Sequence, residues 1–315
     1  MKLLFALLLL ASSALGQTAQ PTAGCCPDAT DQKRQLLFDK LKQTVEEEDR
    51  HLNGVLGVAI LDLTSGQQIL VHPDDVFPQA SSIKIAVLAE LYRQVEQGKV
   101  KLTDLYTVQQ ADNVPDSWIF NGLTPGVTRL TLRDLATMMI AVSDNSATNV
   151  LTDRLGMDNV NQLLASLGLK NTRLRRKMMD IAAAREGREN ISTPREMMTL
   201  LAALHQGKVL NQELTAQFFA MLATPKESPI RHAVPEAVQS ADKPGELEAV
   251  RADSGVVLVP NRPFVIAVMT TYLKDEDAGN AAIRRIAAAA YDYFDRLGRS
   301  SSLGRVVSPY TAAHP

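Results

Sequence analysis

The feature that most constrains this chain is where its strand-like segments stand. "GVLGVAILDL" (54–63) and "QQILVH" (67–72) are apolar and β-branched, and Thr64-Ser65-Gly66 between them supplies a turn. Together they predict a β-hairpin. Strand patterns return only near the other end, as a segment around Lys243, "GVVLV" (255–259) and "FVIAVMTTY" (264–272). The two ends are therefore expected to build one antiparallel sheet flanked by helices. Everything between them must leave that sheet and return to it.

The intervening chain has the period of helices. In "TLRDLATMMIAV", Thr131 and Asp134 stand in capping-box spacing, and Leu132, Leu135, Met138, Met139 and Val142 form an apolar stripe expected in the core. "NQLLASLGL" reads as a helix, as does "TPREMMTLLAALHQG", with Pro194 just inside its start and Gly207 at its end. An irregular, charged segment runs from Arg173 to Asn190. Outside this block, Leu37, Leu41 and Val45 mark a helix over 31–51, and Ile283, Ile286, Ala290, Phe294 and Leu297 mark a closing helix stopped by Gly298. The expected class is α+β. A sheet-plus-helix lobe is drawn from 30–79 and 232–298, an all-helical lobe from 80–231, and the 299–315 tail is expected to be unstructured.

Composition narrows the partners. With Lys+Arg 33 against Asp+Glu 35, no polyanion such as nucleic acid is called for. The opening "MKLLFALLLLASSALGQTAQ" has a basic residue, a short apolar stretch and then small residues. It reads as a signal peptide cleaved after Gly16, followed by a flexible leader over 17–29, which implies an exported protein, periplasmic or extracellular. The stretch is too short to be a stable membrane span. The only two cysteines, Cys25 and Cys26, are adjacent, which offers neither a disulfide framework nor zinc-ligand spacing.

Against this frame, "QASSIKIAVLAELY" (79–92) places Ser81 and Lys84 three residues apart at the predicted start of a helix ending near Gly98. Such residues share a helix face with Cβ atoms about 5–6 Å apart. A serine hydroxyl is a poor nucleophile until a base takes its proton, and a nearby amine can do so. Taken alone, the pair reads sooner as an N-cap serine followed by a solvated lysine. Two further elements change that. "AVSDNSATN" sets Ser143, Asp144 and Asn145 directly after a helix, 62 residues beyond Ser81, and "ADKPGELEAV" sets Lys243, Pro244 and Gly245 at a strand start, 100 residues beyond Ser143.

Ser-x-x-Lys, Ser-Asp-Asn and a Lys-x-Gly triplet, in that order and spacing, resemble the signature set of class A β-lactamases and of the wider penicillin-recognising serine enzymes. The resemblance runs from about residue 30 to 298. It implies that Ser81 is the acylated nucleophile, Lys84 its proton acceptor or relay, and Ser143 the group that passes a proton to the leaving nitrogen. Asn145, Lys243, Gly245 and Glu246 become substrate-binding positions, with an oxyanion hole from the backbone N–H groups of Ser81 and Glu246. Asp144 is expected to tie its loop. The implied partner is a small β-lactam or a peptidoglycan-like molecule, handled by a monomer with no cofactor and no metal.

Two departures from the family pattern bear on function. Pro244 replaces a hydroxyl residue that normally touches the substrate carboxylate, so one donor is lost; Arg251 either compensates or is a surface arginine. In the Arg173–Asn190 loop, matching to the family puts Met178 where a water-activating glutamate belongs, Met179 at the following proline and Ala182 at a water-holding asparagine. Asp180, Glu186 and Glu189 are the possible replacements, if a shifted loop brings one in; otherwise they are solvated or paired with the loop's arginines. Trp118 in "PDSWIFNG" either walls the cleft or anchors packing. The implied activity is hydrolysis of β-lactams through an ester on Ser81, with slow release. The alternatives are a D-alanyl-D-alanine peptidase-like enzyme or a penicillin-binding sensor that does not turn over.

Overall fold

The structure, a computed structural model, describes residues 29–301 and 303–306. The predicted signal peptide, most of the leader with Cys25 and Cys26, and the end of the tail lie outside the described residues. Helix α1 (Ala29–His51) leads into strands β1 (Val55–Asp62) and β2 (Gln68–Val71), then the two-residue β3 (Phe77–Pro78). A 3-10 turn, Ala80–Ile83, precedes α2 (Lys84–Glu96). Next come β4 (Leu105–Thr107), β5 (Arg129–Thr131), α3 (Leu132–Ala141), α4 (Asn145–Leu155), α5 (Met157–Ser166) and α6 (Ile181–Arg185). The short β6 (Ile191–Ser192) is followed by α7 (Pro194–His205), α8 (Gln212–Leu222) and α9 (Pro229–Ala233). Strands β7 (Ser240–Leu247), β8 (Val250–Val257) and β9 (Phe264–Thr271) and helix α10 (Glu276–Arg299) end the order.

The two chain ends do meet. One five-stranded sheet has the order β2-β1-β9-β8-β7, with every neighbouring pair antiparallel. Val55 to Asp62 pair residue by residue with Thr271 to Phe264, which welds the N-terminal hairpin to the C-terminal strands. Each face buries its own core. On one face Val58, Ile60, Ile266 and Val268 pack against Leu41 and Val45 of α1 and Ile283, Ile286 and Phe294 of α10. Phe264 stacks on Phe294 with centroids 4.4 Å apart, a contact worth about 1 kcal/mol beyond its area. On the other face Ala59, Ala267 and Met269 join the larger core built from α2, α3, α4, α5, α7 and α8. This is the α+β class expected.

Local signals hold where they are local. Thr131 caps α3 in a reciprocal box with Asp134, and Thr193 with Pro194 starts α7. Three expectations need correction. Ser81 does not stand in the α-helix; it lies in the 3-10 turn before it, and the α-helix begins at Lys84. Gly298 is not a stop, because α10 runs on to Arg299; a side chain there would collide with the Pro260 carbonyl oxygen, so its smallness serves close packing. Val142 leaves the apolar stripe and is 52% exposed, just past the end of α3. Beyond α10, Ser300 bridges Val306.

Candidate active site

A cleft of about 590 Å³ lies beside the edge strand β7, lined among others by Ser81, Ser143, Asn145, Lys243, Pro244 and Glu246. Three separate segments bring these side chains together. The first is the 3-10 turn. Ala80, just before Ser81, has φ 45, a left-handed conformation that a residue with a side chain adopts only when its surroundings impose it. The imposing contacts are long-range. The Gln79 N–H donates to the Asn190 carbonyl at 2.8 Å, and Ser82 Oγ donates to the Lys243 carbonyl at 2.9 Å. Gly245 completes the fit. A Cβ on it would lie 2.5 Å from the Gln79 oxygen and 3.0 Å from the Ser81 nitrogen, so only glycine lets β7 lie against the turn.

The second segment is the link between α3 and α4. Ser143 has φ 58, and Asp144 fixes the link by accepting from Ala147 N at 2.9 Å and Phe120 N at 3.2 Å. Asp144 is thus a cap and a tie. The third segment is β7, which carries Lys243 and Glu246.

The polar groups converge on Ser143. Its hydroxyl donates to Ser81 Oγ at 2.8 Å and accepts from Lys84 Nζ at 3.0 Å and Lys243 Nζ at 3.1 Å. Lys84 Nζ also donates to the Ser143 carbonyl at 2.6 Å and to Asn145 Oδ1 at 2.9 Å. Among the described residues no hydrogen bond joins Lys84 directly to Ser81, so the direct pairing inferred from their spacing is replaced by a route through Ser143. That follows from the 3-10 turn, which removes Ser81 from the regular i, i+3 helix face. Burial, and next the charge of Lys243, hold the Lys84 amine well below the usual lysine range. Burial likewise brings Lys243 down to about 8, against the pull of Asp253. Two amines, each easier to deprotonate than an ordinary lysine, thus flank the same hydroxyl.

The other sequence-named residues do not all reach the cleft. Arg251 is not part of the cleft lining. Its guanidinium donates to the Leu247 and Val250 carbonyls and pairs with Glu276 at 2.5 Å, away from the cleft lining. Asp180, Glu186 and Glu189 are also absent from the lining. Asp180 caps α6 by accepting from Ala183 N, Glu186 pairs with Arg188, and Glu189 pairs with the nearly buried Arg176 at 2.7 Å. In this structure the three act as loop-holding groups and do not line the cleft. Met178 is buried in the larger core, and its backbone is clamped on both sides by Asn149, at 2.8 and 3.1 Å. Trp118 is 88% exposed and lines the cleft, which removes the packing-anchor reading.

Three charged residues of the lining were not singled out from sequence: Asp116, Lys226 and Glu227. Asp116 lies beside Trp118, but "PKES" around Lys226 and Glu227 carries no motif, and nothing local points it into a site. No cluster of three or more His, Cys, Asp or Glu side chains able to hold a metal ion occurs among the described residues. No helix among them is long and apolar enough to cross a membrane.

The family model described as the beta-lactamase enzyme family matches residues 37–294. Beta-lactamase SME-1 of Serratia marcescens is 27% identical over 269 residues, covering 81% of this chain and 90% of that protein. Among solved structures, a beta-lactamase from Sphaerobacter thermophilus superposes with a TM-score of 0.75 at 34% identity, over 81% of this chain and 97% of the other. A mutant of PBP-A in an acyl-enzyme complex with penicillin G superposes with a TM-score of 0.74 at 27% identity, over 83% of this chain and 97% of that one.

Proposed function

The chain belongs to the beta-lactamase enzyme family and is a serine β-lactamase-like hydrolase, and on that footing we propose that it opens β-lactam rings through an ester on Ser81 and releases the ester slowly. The observation that carries this reading is the hydrogen-bonded run from the two buried lysines through Ser143 to Ser81. Ser81 Oγ attacks the lactam carbonyl. Its proton passes by way of the Ser143 hydroxyl, which rotates to accept it, to the neutral amine of Lys84. The lactam C–N bond breaks, and Ser143 returns a proton to the departing nitrogen. The charge of Lys243, 3.1 Å from Ser143 Oγ, favours the hydroxyl's loss of that proton. The Ser81 and Glu246 backbone N–H groups serve the developing oxyanion, and the close seating of Gly245 on the turn supports that pairing.

Slow release rests on a different observation. No carboxylate of the 173–190 loop lines the cleft, and the loop's acids are engaged elsewhere. The same observation favours a second reading, in which the protein is a penicillin-binding or D-alanyl-D-alanine peptidase-like acyl-enzyme. The similarity to PBP-A, captured with penicillin G as an acyl-enzyme, supports keeping it. Intact-protein mass followed over time after mixing with penicillin G, beside absorbance of the opened ring, tests both. A long-lived adduct with few turnovers is expected. Rapid return to free mass over many turnovers would overturn slow release and move attention to the carboxylates that do line the cleft, Asp116, Glu227 and Glu246.

A further inference from the structure

A substrate carboxylate in this cleft meets a shortage of donors. Lysine has three N–H donors. Two of Lys243's are committed, to Ser143 Oγ at 3.1 Å and to the Pro244 carbonyl at 3.0 Å. Pro244 brings neither a hydroxyl nor an N–H. Arg251 is held away by Glu276 and two backbone carbonyls. One free donor is little for an anion with two oxygens.

Lys226 stands where the deficit is. It follows α8, lines the same cleft as Lys243 and lies close enough for its charge to act on Lys243. Its Nζ donates to the Leu222 carbonyl at 2.7 Å, which leaves two donors uncommitted. The neighbouring carboxylate, Glu227, forms no ion pair with it among the described residues and lies 2.9 Å from His232 Nε2. Lys226 forms no salt bridge among the described residues. Burial draws both amines below the usual lysine range, so an anion that joins them on the cleft wall favours their charged forms. Two buried carboxylates, Asp242 and Asp253, act on both amines in the opposite sense to burial.

We propose that Lys226 is a second cation for the substrate carboxylate, acting with Lys243 and replacing the donor that Pro244 lacks. The proposal rests on the β-lactam reading of the cleft. It makes Lys226 a substrate-selecting residue, with β-lactams carrying a free carboxylate preferred over their esters.

The test uses the full-length chain carrying Ser81→Ala, so that binding is measured without chemistry. Affinities for penicillin G and its methyl ester are compared with Lys226 intact, as Lys226→Met and as Lys226→Arg. Lys226→Met should weaken the acid by about tenfold and leave the ester within about twofold, while Lys226→Arg should keep most of the preference. Equal losses for acid and ester, or no loss for either, would overturn the proposal. A role limited to capping the Leu222 carbonyl would lower the melting temperature of the Met variant without moving the acid-to-ester ratio, which also overturns it. Adduct formation on the protein with Ser81 intact is followed separately by mass. Failure of the acyl-enzyme reading therefore shows there, while the ratio alone decides on Lys226.

Discussion

The cleft and the 173–190 loop dispose of their polar groups in opposite ways. In the cleft, side chains from three segments converge, and the geometry is uncomfortable. Ala80 and Ser143 are left-handed, and two lysines are buried beside one hydroxyl. In the loop, polar groups satisfy one another. Arg176 pairs with Glu189, and Asn190 Oδ1 accepts from the backbone of Arg175 and Arg176 at 2.7 and 3.1 Å. Asn149 clamps Met178. Left-handed backbone does not separate the two regions, since Met179 in the loop has φ 62; what separates them is a pair of buried amines beside one hydroxyl. The loop is organised for its own stability. On the proposed reading, the groups for acylation are assembled in the cleft, while the loop carries apolar Met178 where the family resemblance puts a water-activating glutamate.

The largest effect should come from removing the nucleophile. Ser81→Ala should abolish the covalent penicillin adduct and keep the fold, read by intact mass and circular dichroism. An adduct that persists, or maps to Ser143, would dissolve the contrast at its centre.

Next comes the attempt to give the loop what it lacks. General-base assistance is worth about 10²–10⁴-fold. Met178→Glu with Ala182→Asn should speed loss of the adduct by up to that range while acylation is unchanged. Met178 is 7% exposed, so a lower melting temperature is expected too. A folded double variant that acylates yet releases no faster would show that position 178 does not face the ester.

The lysines set the pH profile. Acylation should rise as Lys84 loses its proton, which burial makes easy well below the usual lysine range. For substrates bearing a carboxylate it should fall again as pH passes about 8, where Lys243 becomes neutral. The groups acting on Lys243 are Asp253 from β8, Asp242 and Glu246 from β7 and Lys226 from the segment after α8. Lys243→Ala should flatten that descending limb and cost about 10–100-fold in acylation by the acid, with a smaller loss for the ester. A descending limb that survives Lys243→Ala belongs to another group.

The smallest effect on catalysis is expected in the loop's own tie. Glu189→Gln leaves Arg176 without its counter-ion, at a cost of about 1–3 kcal/mol read as a fall in melting temperature. Acylation of Ser81 should stay within about twofold, since the pair does not line the cleft. A large loss of acylation would mean that the Asn190–Gln79 bond transmits loop strain to the turn.

What the sequence determined by itself is whatever depends on local geometry. Apolar spacing marked the hairpin, the returning strands and the long helices, because side-chain direction repeats with a fixed period along an element. Order and spacing of Ser81, Lys84, Ser143 and Lys243 pointed to one site. The missing glutamate was legible as an identity, Met178. Tertiary structure alone decided where irregular residues point. Ser81 left the helix because Gln79, Ser82 and Gly245 tie the turn to Asn190 and β7, residues more than a hundred positions away. Arg251 turned to Glu276, Glu189 to Arg176, and motif-free Lys226 into the cleft. A loop side chain takes its direction from the partners that folding brings to it, and no periodicity along the chain encodes which of several charged partners lies nearest.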